Sequence, residues 1–144
     1  MTHEYEGHYT DKHPEGTTHD ASLAAALKVR AQDDRVTCAE AHELAKSFGV
    51  PPSEVGKTAD LLELRIAKCQ LGLFGYPPKG RIVEPAEEIS DVLRDQLQRL
   101  ATNERIGCAT CWKIAGELDI EKMAVSSACE HLGIKVKHCQ LGTF

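Results

Sequence analysis

Apolar residues recur at intervals of three and four along much of this chain, the spacing that gives a helix one apolar face. Leu23, Leu27 and Val29 predict a first helix, and Val92, Leu93, Leu97 and Leu100 predict another further on. A second helix follows in each region, with Ala41, Leu44, Ala45 and Phe48 apolar in one and Cys111, Ile114, Ala115 and Leu118 in the other. The break Gly49-Val50-Pro51-Pro52-Ser53 leads into a third helix carrying Val55, Ala59 and Leu62. Proline suits that first turn, where its missing N–H has no helical partner to lose. The matching break at Asp119-Ile120 precedes Val125, Cys129 and Leu132. Beyond each third helix the pattern turns to alternation, at Leu64, Ile66 and Leu71 and again at Ile134 and Val136, which predicts strands. Arg81-Ile82-Val83, after the turn Gly75–Gly80, is expected to return as the second strand of a hairpin.

The two regions read alike because the sequence repeats itself. A shift of 70 residues places Cys38 on Cys108 and Cys69 on Cys139 without a gap. Leu23, Leu27, Ala31, Arg35, Ala45, Val55 and Leu62 then fall on Leu93, Leu97, Ala101, Arg105, Ala115, Val125 and Leu132. The segment Cys69-Gln70-Leu71-Gly72 recurs as Cys139-Gln140-Leu141-Gly142. Four identical residues inside one gapless register are hard to reach by chance, so a tandem duplication is expected. The expected fold is mainly α with short β hairpins: two tandem three-helix repeats. Residues 1–20 read as a polar, His-rich tail, 21–83 as the first repeat, 84–90 as a linker with Ser90 as a helix cap, and 91–144 as the second repeat.

The helix–short strand–helix–turn–helix–hairpin order is similar to the winged helix-turn-helix superfamily. The residues that carry the likeness are Ala41, Leu44, Ala45, Gly49, Val50 and Val55, echoed by Cys111, Ile114, Ala115, Asp119, Ile120 and Val125. More narrowly, the chain resembles the DNA-binding part of molybdate-responsive repressors. The resemblance implies that each third helix is a recognition helix, offering its N-terminal residues to the major groove of duplex DNA. Its outward set would be Ser53, Glu54, Gly56, Lys57 and Asp60 in the first repeat, and Lys122, Ser126, Ser127, Glu130 and His131 in the second. Arg65, Lys68, Lys79 and Arg81, and then Lys135, Lys137 and His138, would flank the wings and meet phosphates. Pseudo-two-fold repeats in one chain would mimic a dimer on two half-sites.

Charge tempers that expectation. The chain carries −5, of which the first twenty residues supply −4, so the repeats are near neutral and lack a broad basic field. Glu54, Asp60 and Glu130 would repel phosphates. A competing expectation is therefore an adaptor that uses the same scaffold to bind a protein.

Six cysteines in a chain without a secretion signal or a membrane-length apolar run suggest a soluble, cytoplasmic protein with reduced thiols. The duplicated Cys38, Cys69, Cys108 and Cys139 read either as small buried apolar residues or as a redox or metal-responsive site. If the wing pairing holds, each pair approaches closely. Cys108-x-x-Cys111 suits redox exchange or zinc, but Cys111 lies on an apolar helix face and core packing is favoured. His3, His8, His13 and His19 among tail carboxylates could take a transition metal, although their spacing fits no ligand template. No other cofactor is expected. Gly49–Thr58 superficially resembles a phosphate-binding loop but has six residues between its glycines where four are needed. No catalytic constellation is legible, and the chain is not expected to be an enzyme.

Overall fold

A computed structural model of the chain describes residues 20–143. The described residues are mainly helical, with short strands, in the order α1 (Ala21–Arg30), β1 (Arg35–Thr37), α2 (Cys38–Phe48), α3 (Pro52–Leu61), β2 (Arg65–Ala67), α4 (Asp91–Leu100), β3 (Arg105–Gly107), α5 (Cys108–Leu118), α6 (Lys122–Leu132) and β4 (Lys135–Lys137). The strands of the second half stand seventy residues after those of the first. No described helix is long and apolar enough to cross a membrane.

Local chemistry sets the helix ends. Asp20 Oδ1 accepts from the Leu23 N–H at 3.0 Å to start α1. Ser90 Oγ does the same for α4 through the Leu93 N–H at 3.2 Å, as expected of that residue. Thr37 and Glu40 form a reciprocal capping box on α2, satisfying two N–H groups that the first turn leaves without helical partners. The equivalent start of α5 is Gly107, which has no side chain to cap with. Between α2 and α3 the chain reverses through Gly49 at φ 63°, and between α5 and α6 through Asp119 at φ 54°. Both are left-handed, a conformation that glycine adopts freely and aspartate tolerates. Val50 and Ile120 each return an N–H to the preceding helix, to Ala45 O and Ala115 O at 3.0 Å. The turns span residues 49–51 and 119–121.

The strands correct one expectation. They are parallel ladders, not hairpins: Arg35, Val36 and Thr37 pair with Arg65, Ile66 and Ala67, and Arg105, Ile106 and Gly107 pair with Lys135, Val136 and Lys137. Two helices separate each pair, and a crossover of that length brings the second strand back in the same direction. Arg81-Ile82-Val83 is not a strand; the Ile82 and Val83 N–H groups both donate to the Gly72 carbonyl, at 2.9 and 3.1 Å. The alternation after α3 is real but short, because Lys68 turns left-handed at φ 51° directly after β2.

The described residues form two compact units. Among the described residues, one unit holds 20–69 together with 140–143; the other holds Gln70–Cys139. The first has a core of Leu23, Leu27, Val36, Leu44, Val55 and Leu64, to which Leu141 belongs. The core of the second is Leu93, Leu97, Ile106, Ile114, Val125 and Ile134, joined by Leu71, Phe74 and Val83. Each three-helix core is thus joined by a Gln-Leu-Gly segment, Gln70–Gly72 in one unit and Gln140–Gly142 in the other, that follows in sequence the last strand of the other unit. We call these segments straps. A unit of this size buries a modest share of its surface alone, and an added apolar strap enlarges its core.

Candidate functional site

The third helices were expected to offer free polar faces, and a strap lies against the middle of each. In the first unit Gly56 lies in the middle of α3, buried against the backbone of Leu141. A Cβ at Gly56 would overlap the Leu141 carbonyl oxygen and stand 3.1 Å from its Cα. In the second unit the matching residue is Ser126, only 1% exposed, whose Oγ donates to the Leu71 carbonyl at 2.6 Å. The strap there is longer. Gly72 sits so close to α6 that a Cβ would meet Met123 Sδ at 3.1 Å. Further along, the Ala86 N–H donates to the Ser127 carbonyl at 3.0 Å, and His131 Nδ1 lies 2.6 Å from the Ala86 carbonyl. Arg81 forms an ion pair with Glu130.

The expected DNA-reading set therefore divides. Gly56, Asp60 and Ser126 are buried. Ser126 spends its hydroxyl inside its own unit, and Ser127, Glu130, His131 and Arg81 are engaged with the strap or hold it. Among the rest, Ser53 is exposed, while Lys57 is half-buried and its Nζ lies 3.1 Å from Glu54 Oε2, one helical turn back. Lys122 Nζ stands 4.6 Å above the Trp112 ring, a cation–π contact between α6 and α5. Lys79 is exposed in the turn closed by Tyr76 and Gly80, far in sequence from any strand. Lys68 is exposed just after β2. Arg65 and Lys135 begin β2 and β4, directly opposite Arg35 and Arg105 in the ladders, and Lys137 closes the second ladder. The ladders thus bring basic residues together in pairs, which the helices do not.

Cys38, Cys69, Cys108 and Cys139 stand just beyond the ends of the ladders. Cys38 and Cys108 follow directly after β1 and β3 and open α2 and α5. Cys69 and Cys139 come two residues after β2 and β4, and the Cys108 N–H donates to the His138 carbonyl at 3.4 Å. Cys38, Cys69 and Cys108 are buried and Cys139 is half-buried; no disulfide joins any of the six cysteines. Among the described residues no three His, Cys, Asp or Glu side chains converge as a metal site. The tail histidines His3, His8, His13 and His19 lie outside the described residues.

Two features escaped the sequence reading. One is the seating of the straps, for which the repeated Cys-Gln-Leu-Gly was the available signal. The other is a thiol contact in the second unit, where Cys111 and Cys129 share a hydrogen bond and Cys108 lies near enough to act on Cys111 by charge. That hydrogen bond, then burial, pushes the Cys111 thiol far above its ordinary range. The same bond stabilises a thiolate on Cys129 and lowers its pKa, against the opposing effect of burial.

Comparison with known proteins adds no relative: no protein-family model, no curated protein and no solved structure matches this chain.

Proposed function

We propose that this chain is a non-catalytic binding module, made of two copies of one helix-turn-helix element, whose partner is a protein. The copies are supported by the recurrent element order, by the equal registers of the two ladders and by the gapless sequence match. The observation that carries the choice of partner is the burial of Gly56 and Ser126 beneath the straps. A recognition helix needs its outward residues free to reach base edges in the groove. Here the middle of each third helix is already filled by the chain itself. Near-neutral repeats point the same way, since nonspecific DNA affinity comes from many cation–phosphate contacts.

A second reading has one favouring observation, the basic pairs on the ladders. Arg35 with Arg65, and Arg105 with Lys135, could contact phosphates without help from the third helices. Fluorescence anisotropy with a random-sequence duplex separates the two readings. The protein-partner reading predicts little binding even at low salt, and a partner retained from native extract after nuclease treatment. Tight duplex binding with a log–log salt slope steeper than about −3, corresponding to roughly three or more phosphate contacts, would replace it with the DNA reading.

A further inference from the structure

The second unit holds a pair of buried thiols with no counterpart in the first. Cys111 on α5 and Cys129 on α6 are 0% and 1% exposed, and their thiols are hydrogen-bonded across the helix crossing. The same two positions of the first unit, on α2 and α3, are Ala41 and Ala59, both fully buried. Small residues there let the two helices approach closely, so replacing both with cysteine sets two sulfur atoms face to face. Packing alone is met by alanine, and the paired thiols add chemistry at a place where neither the strap nor the ladder needs it.

We propose that Cys111 and Cys129 form an oxidisable pair, which a small hydroperoxide converts to a disulfide joining α5 to α6. The Cys129 thiolate, supported by the hydrogen bond from Cys111, attacks the terminal oxygen of the peroxide. The O–O bond breaks, the sulfur becomes a sulfenic acid, and the leaving oxygen takes up the proton that Cys129 released. Cys111 sulfur then attacks the Cys129 sulfur. The S–O bond breaks, and the departing hydroxyl leaves as water with the Cys111 proton. Two thiols and one hydroperoxide thus yield one disulfide, one water and one alcohol, or two waters when the oxidant is hydrogen peroxide. Neither sulfur is open to solvent, so a local opening between α5 and α6 admits the oxidant, and a small hydroperoxide needs the least opening. The product would fix the angle between the two helices of the second unit while leaving the first unit unchanged.

The test is treatment of the full chain with hydrogen peroxide, followed by unfolding, alkylation and peptide mapping. The expected result is an intact mass lower by two hydrogens and a peptide linking Cys111 to Cys129. Cys38, Cys69, Cys108 and Cys139 remain alkylated. Cys111→Ala and Cys129→Ala should each abolish the cross-link and still fold, since the first unit carries alanine at both positions. The mapping of the unaltered chain stands whether or not the variants fold. The proposal is overturned if Cys111 and Cys129 stay alkylatable while other cysteines oxidise. It is equally overturned if the disulfide engages Cys108 or Cys139, or if Cys129 proceeds to a sulfinic acid without bonding to Cys111.

Discussion

The two strap seats perform one task with different chemistry. In the first unit α3 offers Gly56, and the Leu141 backbone comes down onto the helix where a side chain would stand. In the second unit α6 offers Ser126, and the Leu71 carbonyl is held at hydrogen-bond distance by the hydroxyl. The first seat depends on a missing atom; the second depends on a donor. The straps differ in extent too. Leu71 is followed into its unit by Phe74 and Val83, both buried, and by polar contacts out to Ala86, whereas Leu141 is followed only by Gly142 and Thr143 among the described residues. Two units with the same element order can therefore keep one backbone pattern while each meets the same packing problem with different residues.

The largest test of this comparison removes the anchors. Leu71→Ala should cost about 2–5 kcal/mol of unfolding free energy, because it leaves a cavity among fixed neighbours. Leu141→Ala should fall at the lower end of that range, because no described residue after it on its strap is a buried apolar one, as Phe74 and Val83 are on the other. Urea unfolding of both variants measures the difference, and a neutral Leu141→Ala would mean that this strap is not seated.

The seats themselves come next. Alanine in place of a mid-helix glycine ordinarily stabilises by about 0.5–1 kcal/mol. Gly56→Ala should reverse that sign and destabilise by about 1–3 kcal/mol, since its methyl group meets the Leu141 backbone. Ser126→Ala should cost only about 0.5–1.5 kcal/mol, the net worth of one hydrogen bond, with no steric conflict. Thermal melts in which Gly56→Ala is stabilising would break the contrast.

The smallest effect lies at the starts of α2 and α5. Thr37→Ala removes the capping box and should cost about 1 kcal/mol. Gly107→Ser should gain a few tenths of a kcal/mol, as glycine there is uncapped at an ordinary negative φ and a Cβ would meet nothing closer than 3.8 Å. Equal melting shifts in the two variants would show that the caps do not distinguish the copies.

Much of the helical layout was legible because apolar periodicity, Pro52, Gly49 and Ser90 each act locally, and the structure puts helix ends where those residues lead. Strand direction was not legible. Alternation at Leu64 and Ile66 marks an extended segment but says nothing of its partner, and the choice between hairpin and crossover is made by where α3 delivers the chain. The fate of Ser126 was hidden for a similar reason. On a helical wheel it looks like an outward polar residue, and only the strap, fifty-five residues away in sequence, buries it. The Cys111–Cys129 contact was half visible: Cys111 read as a core residue, but nothing in the spacing linked it to Cys129 on the next helix.

The most direct test is proton NMR of the intact chain with no partner added, reading nuclear Overhauser contacts between Gly56 and Leu141 and between Ser126 and Leu71. If the straps lie on the third helices, both pairs give strong cross-peaks. Missing cross-peaks, with residues 140–143 at random-coil shifts, would leave α3 uncovered and contradict the account.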